Sequence, residues 1–139
     1  MSALLSLEDA QARLLALAPT MRTAQSPVAD ALGATLAHDL TALRTQPEAD
    51  LSAMDGYAIA GKGPWNLVGE SRAGNAFEGA LEPGQCARIS TGAHMPEGSE
   101  SVLIQENARL EGASVALATG ESHPSFGRHV RKAGFDFAK

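Results

Sequence analysis

The sequence predicts an α+β chain that is mostly β, with helices confined to the first third and a small, barrel-like β-rich unit after them. Three observations carry this. A capped amphipathic segment lies near the N-terminus, Gly and Pro recur every few residues from Pro47 onward, and short apolar runs of strand length sit between those breakers. Ser6 opens the first helix as its cap, with Asp9 three residues on and Leu7, Ala10, Leu14 and Leu17 at helical spacing, and Pro19 marks its end. A second short helix is predicted from Ser26 as cap and Pro27 at the first helical position. Val28 and Leu32 share one of its faces, and Gly33 lies just past its last turn. The apolar faces of these helices are too small to form a core, so they are expected to pack on the rest of the chain or on a second copy.

Leu36–Leu43 reads as extended. Beyond it the predicted strands are Tyr57–Ile59, Trp65–Val68, Ala87–Ile89, Ser101–Ile104 and Val115–Leu117, with turns at Pro83-Gly84, Pro96-Glu97-Gly98 and Glu111-Gly112, the last joining the final two runs as a hairpin. A chain of this size buries roughly two-thirds of the surface its unfolded form exposes, so a core needs no staples. A hydrophobic fraction of 44% with 19% charged residues is globular rather than disordered composition.

A net charge of −5 disfavours general attraction to nucleic acid or anionic lipid, and neither is expected as a partner. No apolar run reaches bilayer-spanning length and no basic flank marks a secretory signal, so a cytoplasmic protein without a membrane partner is expected. The single cysteine, Cys86, lies in the run Cys86-Ala87-Arg88-Ile89 and reads as a packing residue. The histidines His38, His94, His123 and His129 are dispersed, with no zinc-binding pair among them. Gly56-Tyr57-Ala58-Ile59-Ala60-Gly61-Lys62 begins like a phosphate-binding loop, but Gly63 stands where a metal-binding hydroxyl belongs and Pro64 where a helix should start.

Three stretches could carry chemistry. In Ser52-Ala53-Met54-Asp55-Gly56-Tyr57-Ala58, Asp55-Gly56 is either a tight turn leading into a strand or a carboxylate displayed by one. The turn Ser90-Thr91-Gly92-Ala93 can offer N–H and hydroxyl donors to an oxyanion, or satisfy its own backbone. Arg128-His129-Val130-Arg131-Lys132 is the one basic cluster. As a strand it would set Arg128, Val130 and Lys132 against His129 and Arg131, forming a solvated face or a phosphate-steering patch.

Ser52-Ala53-Met54-Asp55-Gly56-Tyr57-Ala58, then Arg88-Ile89-Ser90-Thr91-Gly92-Ala93, Pro96-Glu97-Gly98, Val102-Leu103-Ile104-Gln105-Glu106 and Val130-Arg131-Lys132-Ala133-Gly134, occur in an order that resembles the molybdopterin molybdenumtransferase (MoeA) family, which includes the gephyrin E domain. The resemblance implies insertion of molybdate into adenylyl-molybdopterin with Mg2+, release of AMP, and work as an elongated homodimer. It implies a linking and dimerising unit from residues 1–46 with 130–139, and an inserted β-rich domain from 47–129. The active site would be a cleft between this β-rich domain and the molybdopterin-binding domain of the other subunit. Asp55, Thr91 and Asp136 would be catalytic, with Asp55 and Asp136 as Mg2+ ligands, and Ser90, Gly92, Arg131 and Lys132 would bind substrate phosphate. Ala49-Asp50-Leu51 replaces the family's Phe-Asp-Asn, and Gly134-Phe135-Asp136 replaces Gly-Glu-Asp. The molybdopterin-binding domain falls outside these 139 residues. The chain alone is therefore expected to be inactive and to meet adenylyl-molybdopterin and molybdate only when that domain is supplied. A non-catalytic dimerisation or partner-binding module is the other reading of the same residues.

Overall fold

The computed structural model describes residues 5–139, and they fall into two compact units, the first ending at Leu40 and the second spanning Thr41–Lys139. In the first unit α1 (Leu7–Leu17) forms as its sequence dictates: the Ser6 side chain accepts the Asp9 N–H at 3.1 Å, and Glu8 and Asp9 occupy the first turn, where the helix dipole favours anions. No residue of α1 is buried, and Leu14, Leu15 and Leu17 are all exposed. The predicted second helix is a single 3-10 turn, Val28–Asp30. Pro27 starts it, but with Val28 and Leu32 both exposed there is no packing to extend so short a helix. Leu36–Leu43 is not a strand either: it has no partner to bond to, and Leu36, Leu40 and Leu43 are exposed.

The second unit holds the core. Its strands are β1 (Leu51–Ser52), β2 (Gly56–Ile59), β3 (Trp65–Ser71), β4 (Gln85–Ile89), β5 (Ser101–Ile104), β6 (Ala108–Glu111), β7 (Ser114–Leu117) and β8 (Val130–Arg131). Six of them form one sheet in the order β5-β2-β4-β3-β7-β6, and β1 pairs with β8. The two ends of that order, β5 and β6, are consecutive in sequence and joined by the turn Gln105–Asn107. Four residues reach at most about 14 Å, whereas the edges of a flat six-stranded sheet lie about 24 Å apart. The sheet must therefore curl, which gives the expected barrel-like form.

All five predicted apolar runs are strands. The period-two alternation of β2 sends Tyr57 and Ile59 to one cluster with Trp65, Cys86, Leu103 and Val115, and Ala58 to another with Ala87, Ile89 and Val102. Both faces of the central strands are thus covered, and β2 is buried throughout. The hairpin at Gly112 forms, but between β6 and β7; β5 instead pairs with β2. Ala108–Glu111 escapes a sequence reading because its side chains, exposed Arg109 and Leu110 among them, make no apolar run.

Cys86 is fully buried in β4, and that burial pushes its thiol up to about 11. The native thiol is predicted to ignore a disulfide reagent at pH 8 and to react on unfolding. Titration of the thiol with and without denaturant checks this.

A carboxylate and hydroxyl rim as candidate functional site

Ser52-Ala53-Met54-Asp55 connects β1 to β2 and is stitched down from both sides. On one side the Ser52 N–H donates to the Ala93 carbonyl at 2.9 Å and the Gly92 N–H donates to the Ser52 carbonyl at 2.8 Å. On the other, the Ala53 N–H donates to the His129 carbonyl at 2.9 Å. The buried Ser52 hydroxyl folds the bend on itself, donating to the Met54 carbonyl at 2.5 Å. The bend therefore lies at residues 53–55, and Gly56 already begins β2 rather than sitting in a tight turn. Glycine is required there because a Cβ would stand 2.1 Å from the Leu103 carbonyl oxygen of β5.

This construction displays Asp55 to solvent with one oxygen fixed. Its Oδ1 accepts the Thr91 N–H at 2.7 Å and the Thr91 hydroxyl at 3.0 Å. The backbone N–H, then the hydroxyl, hold the Asp55 carboxyl below the usual carboxylate range, and the nearby charge of Arg88 adds a smaller share. Asp55 and Thr91 are thus brought together as a charged, oriented pair on an open rim.

The backbone N–H donors of the Ser90–Ala93 turn are all engaged inside the fold. The Ser90 N–H goes to Ser71, that of Thr91 to Asp55, that of Gly92 to Ser52 and that of Ala93 to Ser90. The backbone of the turn thus satisfies its own surroundings.

The remaining sequence-selected residues lie elsewhere. β8 runs antiparallel to β1, with Leu51 opposite Arg131 and Ser52 opposite Val130, so the chain beyond Arg131 returns alongside residues that precede β1. There the Asp136 N–H donates to the Gln46 carbonyl at 3.0 Å, at the end of the ladder away from Asp55. The Asp136 carboxylate pairs with Arg131, whose guanidinium lies 5.5 Å from the Phe135 ring centroid, so the aromatic replacement packs on a cation. Lys132 pairs with Asp50 at 2.7 Å, and Asp50 also accepts the Ala133 N–H at 2.9 Å. The Lys132 bond first, then that N–H, hold the Asp50 carboxyl below its ordinary value. Asp50 is thus the anchor of the tail, a role for which its sequence context gives no signal. His129 has φ 61°, which breaks the strand alternation expected across residues 128–132.

Among the described residues no group of three or more His, Cys, Asp or Glu side chains is arranged to hold a metal ion. A cavity of about 860 Å3 lies past the far end of β2, between Gly61–Trp65 and His123. It contains neither member of the Asp55–Thr91 pair.

Fold and rim together define a β-rich module that presents a carboxylate held by a hydroxyl-bearing turn at its surface. The chain belongs to the MoeA family: residues 5–139 match the MoeA N-terminal region, domains I and II. It is 30% identical over 142 residues to the molybdopterin molybdenumtransferase of Haemophilus influenzae, covering 98% of this chain and 35% of that protein. It is 40% identical over 95 residues to that of Nostoc sp., covering 61% of this chain and 21% of the relative. Its fold matches the crystal structure of the molybdopterin biosynthesis MoeA protein from Pyrococcus horikoshii with a TM-score of 0.69 and 27% identity, over 81% of this chain and 31% of that one. The chain therefore spans between a fifth and about a third of the length of these curated relatives. No helix among the described residues is long and apolar enough to cross a membrane.

Proposed function

We propose that this region acts in molybdenum cofactor biosynthesis by supplying one wall of the cleft in which molybdate is inserted into adenylyl-molybdopterin. The observation that carries the reading is Asp55, which is exposed, ionised and held in one orientation by the two Thr91 donors. A carboxylate fixed this way at a rim acts on a substrate brought to it by an opposing surface. The names of the relatives, molybdopterin molybdenumtransferase, supply the substrate class.

Magnesium suits this rim in one form only. Mg2+ is usually held by one or two carboxylates, with waters and substrate phosphate oxygens completing its octahedron. Asp55 can offer Oδ2, since its Oδ1 takes both Thr91 donors. Asp136 lies at the other end of the β1–β8 ladder and is paired with Arg131, so the two acids do not converge on one ion within this chain. When bound, the cation would neutralise phosphate charge; Asp55 would orient it, and Thr91 would orient Asp55.

Supplying the pterin-binding portion of a relative as a separate chain tests the reading. Cofactor should form from adenylyl-molybdopterin and molybdate with both chains present, and not with the 139-residue chain alone. Turnover by this chain alone would refute it.

A second role, self-association, rests on the exposed apolar side chains of the first unit, in which Leu17, Val28 and Leu32 are 81%, 93% and 97% exposed. We propose a homodimer formed through this unit. Sedimentation at tens of micromolar should show the dimer, and a monomer there would contradict it.

A further inference from the structure

The rim presents a problem of charge. Molybdate and phosphoryl groups are anions, Asp55 is an anion, and the chain carries a net charge of −5. A cation must therefore stand close by if an oxyanion is to approach. The sequence candidates do not fill the place: Arg131 is paired with Asp136, Lys132 with Asp50, and both lie on the returning tail. Nor do the backbone N–H groups of the Ser90–Ala93 turn, all of which are engaged within the fold.

Arg88 is the cation that the strand register sets beside the pair. It lies on β4 opposite Tyr57, two residues from Asp55, and three residues before Thr91. Its flanking residues Ala87 and Ile89 are buried in one cluster, so strand alternation turns Arg88 the other way, and it is exposed. On its other side it is opposite Glu70 of β3, but Glu70 is already paired with Arg72 at 2.6 Å. Arg88 makes no ion pair among the described residues. An unpaired guanidinium held on a buried strand beside a fixed carboxylate and hydroxyl is built to take a tetrahedral oxyanion through its fork of donors.

We propose that Arg88 is the oxyanion-binding residue of this rim, taking molybdate or a substrate phosphoryl group beside Asp55 and Thr91. The assignment rests on the proposed function for its substrate class. Its geometry is that of the strand alone.

The test uses the whole 139-residue protein. Sodium molybdate and sodium phosphate are titrated separately, at matched ionic strength, while the Thr91 amide and Arg88 Nε–H resonances are followed by NMR. A saturable shift is expected with at least one anion. Arg88→Gln should weaken that affinity by about tenfold or more, which corresponds to about 1.4 kcal/mol, and Arg88→Lys should fall between. Arg109→Gln, on the β6–β7 hairpin, should change nothing. Arg88 is exposed, so all variants should share the wild-type thermal midpoint, which confirms that they fold. Saturation by molybdate alone identifies the metal oxyanion as the occupant, and saturation by phosphate identifies the phosphoryl group. Unchanged affinity in Arg88→Gln, or no saturable shift with either anion in the wild type, overturns the assignment. Arg88-dependent binding in a chain that fails the two-chain reconstitution would sink the proposed function and leave Arg88 standing.

Discussion

Replacing Gly56 with alanine should lower the stability of the β-rich unit by about 3 kcal/mol, the upper range for forcing a methyl group into a packed interior. The added Cβ would meet the Leu103 carbonyl oxygen at 2.1 Å and the Ile104 Cα at 2.9 Å, and both are backbone atoms of β5. A side chain could swing aside, but a strand cannot move without breaking its ladder. The register Gly56 to Ile104 and Tyr57 to Leu103 is what brings β5 close enough to be struck. Relief would require β5 to separate from β2, which would uncover Val102 and Leu103. Chemical denaturation read by the fluorescence of buried Trp65 checks the value. A change below about 0.5 kcal/mol, the size expected of an ordinary surface substitution, would mean that the β2–β5 approach is wrong.

The second large effect is on activity, at Asp55. In the two-chain reconstitution, Asp55→Ala should reduce cofactor formation by about a hundredfold or more, the scale of losing one group positioned for the reaction. Asp55→Asn should fall almost as far. Its amide oxygen can still accept the Thr91 N–H, so the loop keeps its shape while the negative charge is lost. Neither change should move the denaturation midpoint by much, since the side chain is exposed and its loop is held chiefly through Ser52 and Ala53. Stability and activity therefore separate at neighbouring residues: Gly56 matters to the fold and Asp55 to the chemistry.

That separation shows what could be read in the chain and what could not. Strands such as Ser101–Ile104 were legible because a buried strand must be apolar and must be bounded by breakers, both local properties of sequence. Strand order was not. That β5 pairs with β2, and not with β7 across the glycine turn, follows from the curl of the sheet as a whole. The cap and stop signals of the second helix are real, but nothing packs on it, and signals alone support no more than the turn Val28–Asp30.

At the site, Asp55 and Thr91 were each legible from their motifs, while the bonds between them span 36 residues and required the β2–β4 pairing to form. The basic tail stands out by its charge density, but Lys132 and Arg131 are answered locally by Asp50 and Asp136. Arg88 is legible only as the first residue of the string Arg88-Ile89-Ser90-Thr91-Gly92-Ala93, a single cation in an apolar run. Whether such a residue is paired depends on its strand neighbours: the β3–β4 register, which no sequence window contains, sets Glu70 opposite Arg88, and Glu70 is taken by Arg72.

In the proposed function Asp55 performs chemistry against a surface supplied from beyond these residues. The most direct test is the rate of cofactor formation from adenylyl-molybdopterin and molybdate, with a relative's pterin-binding portion present, for wild type and for Asp55→Asn at equal folded concentration. A rate in the wild type that falls about a hundredfold in Asp55→Asn is the predicted result. Equal rates in the two proteins would contradict the claim and leave Asp55 as part of the turn that begins β2.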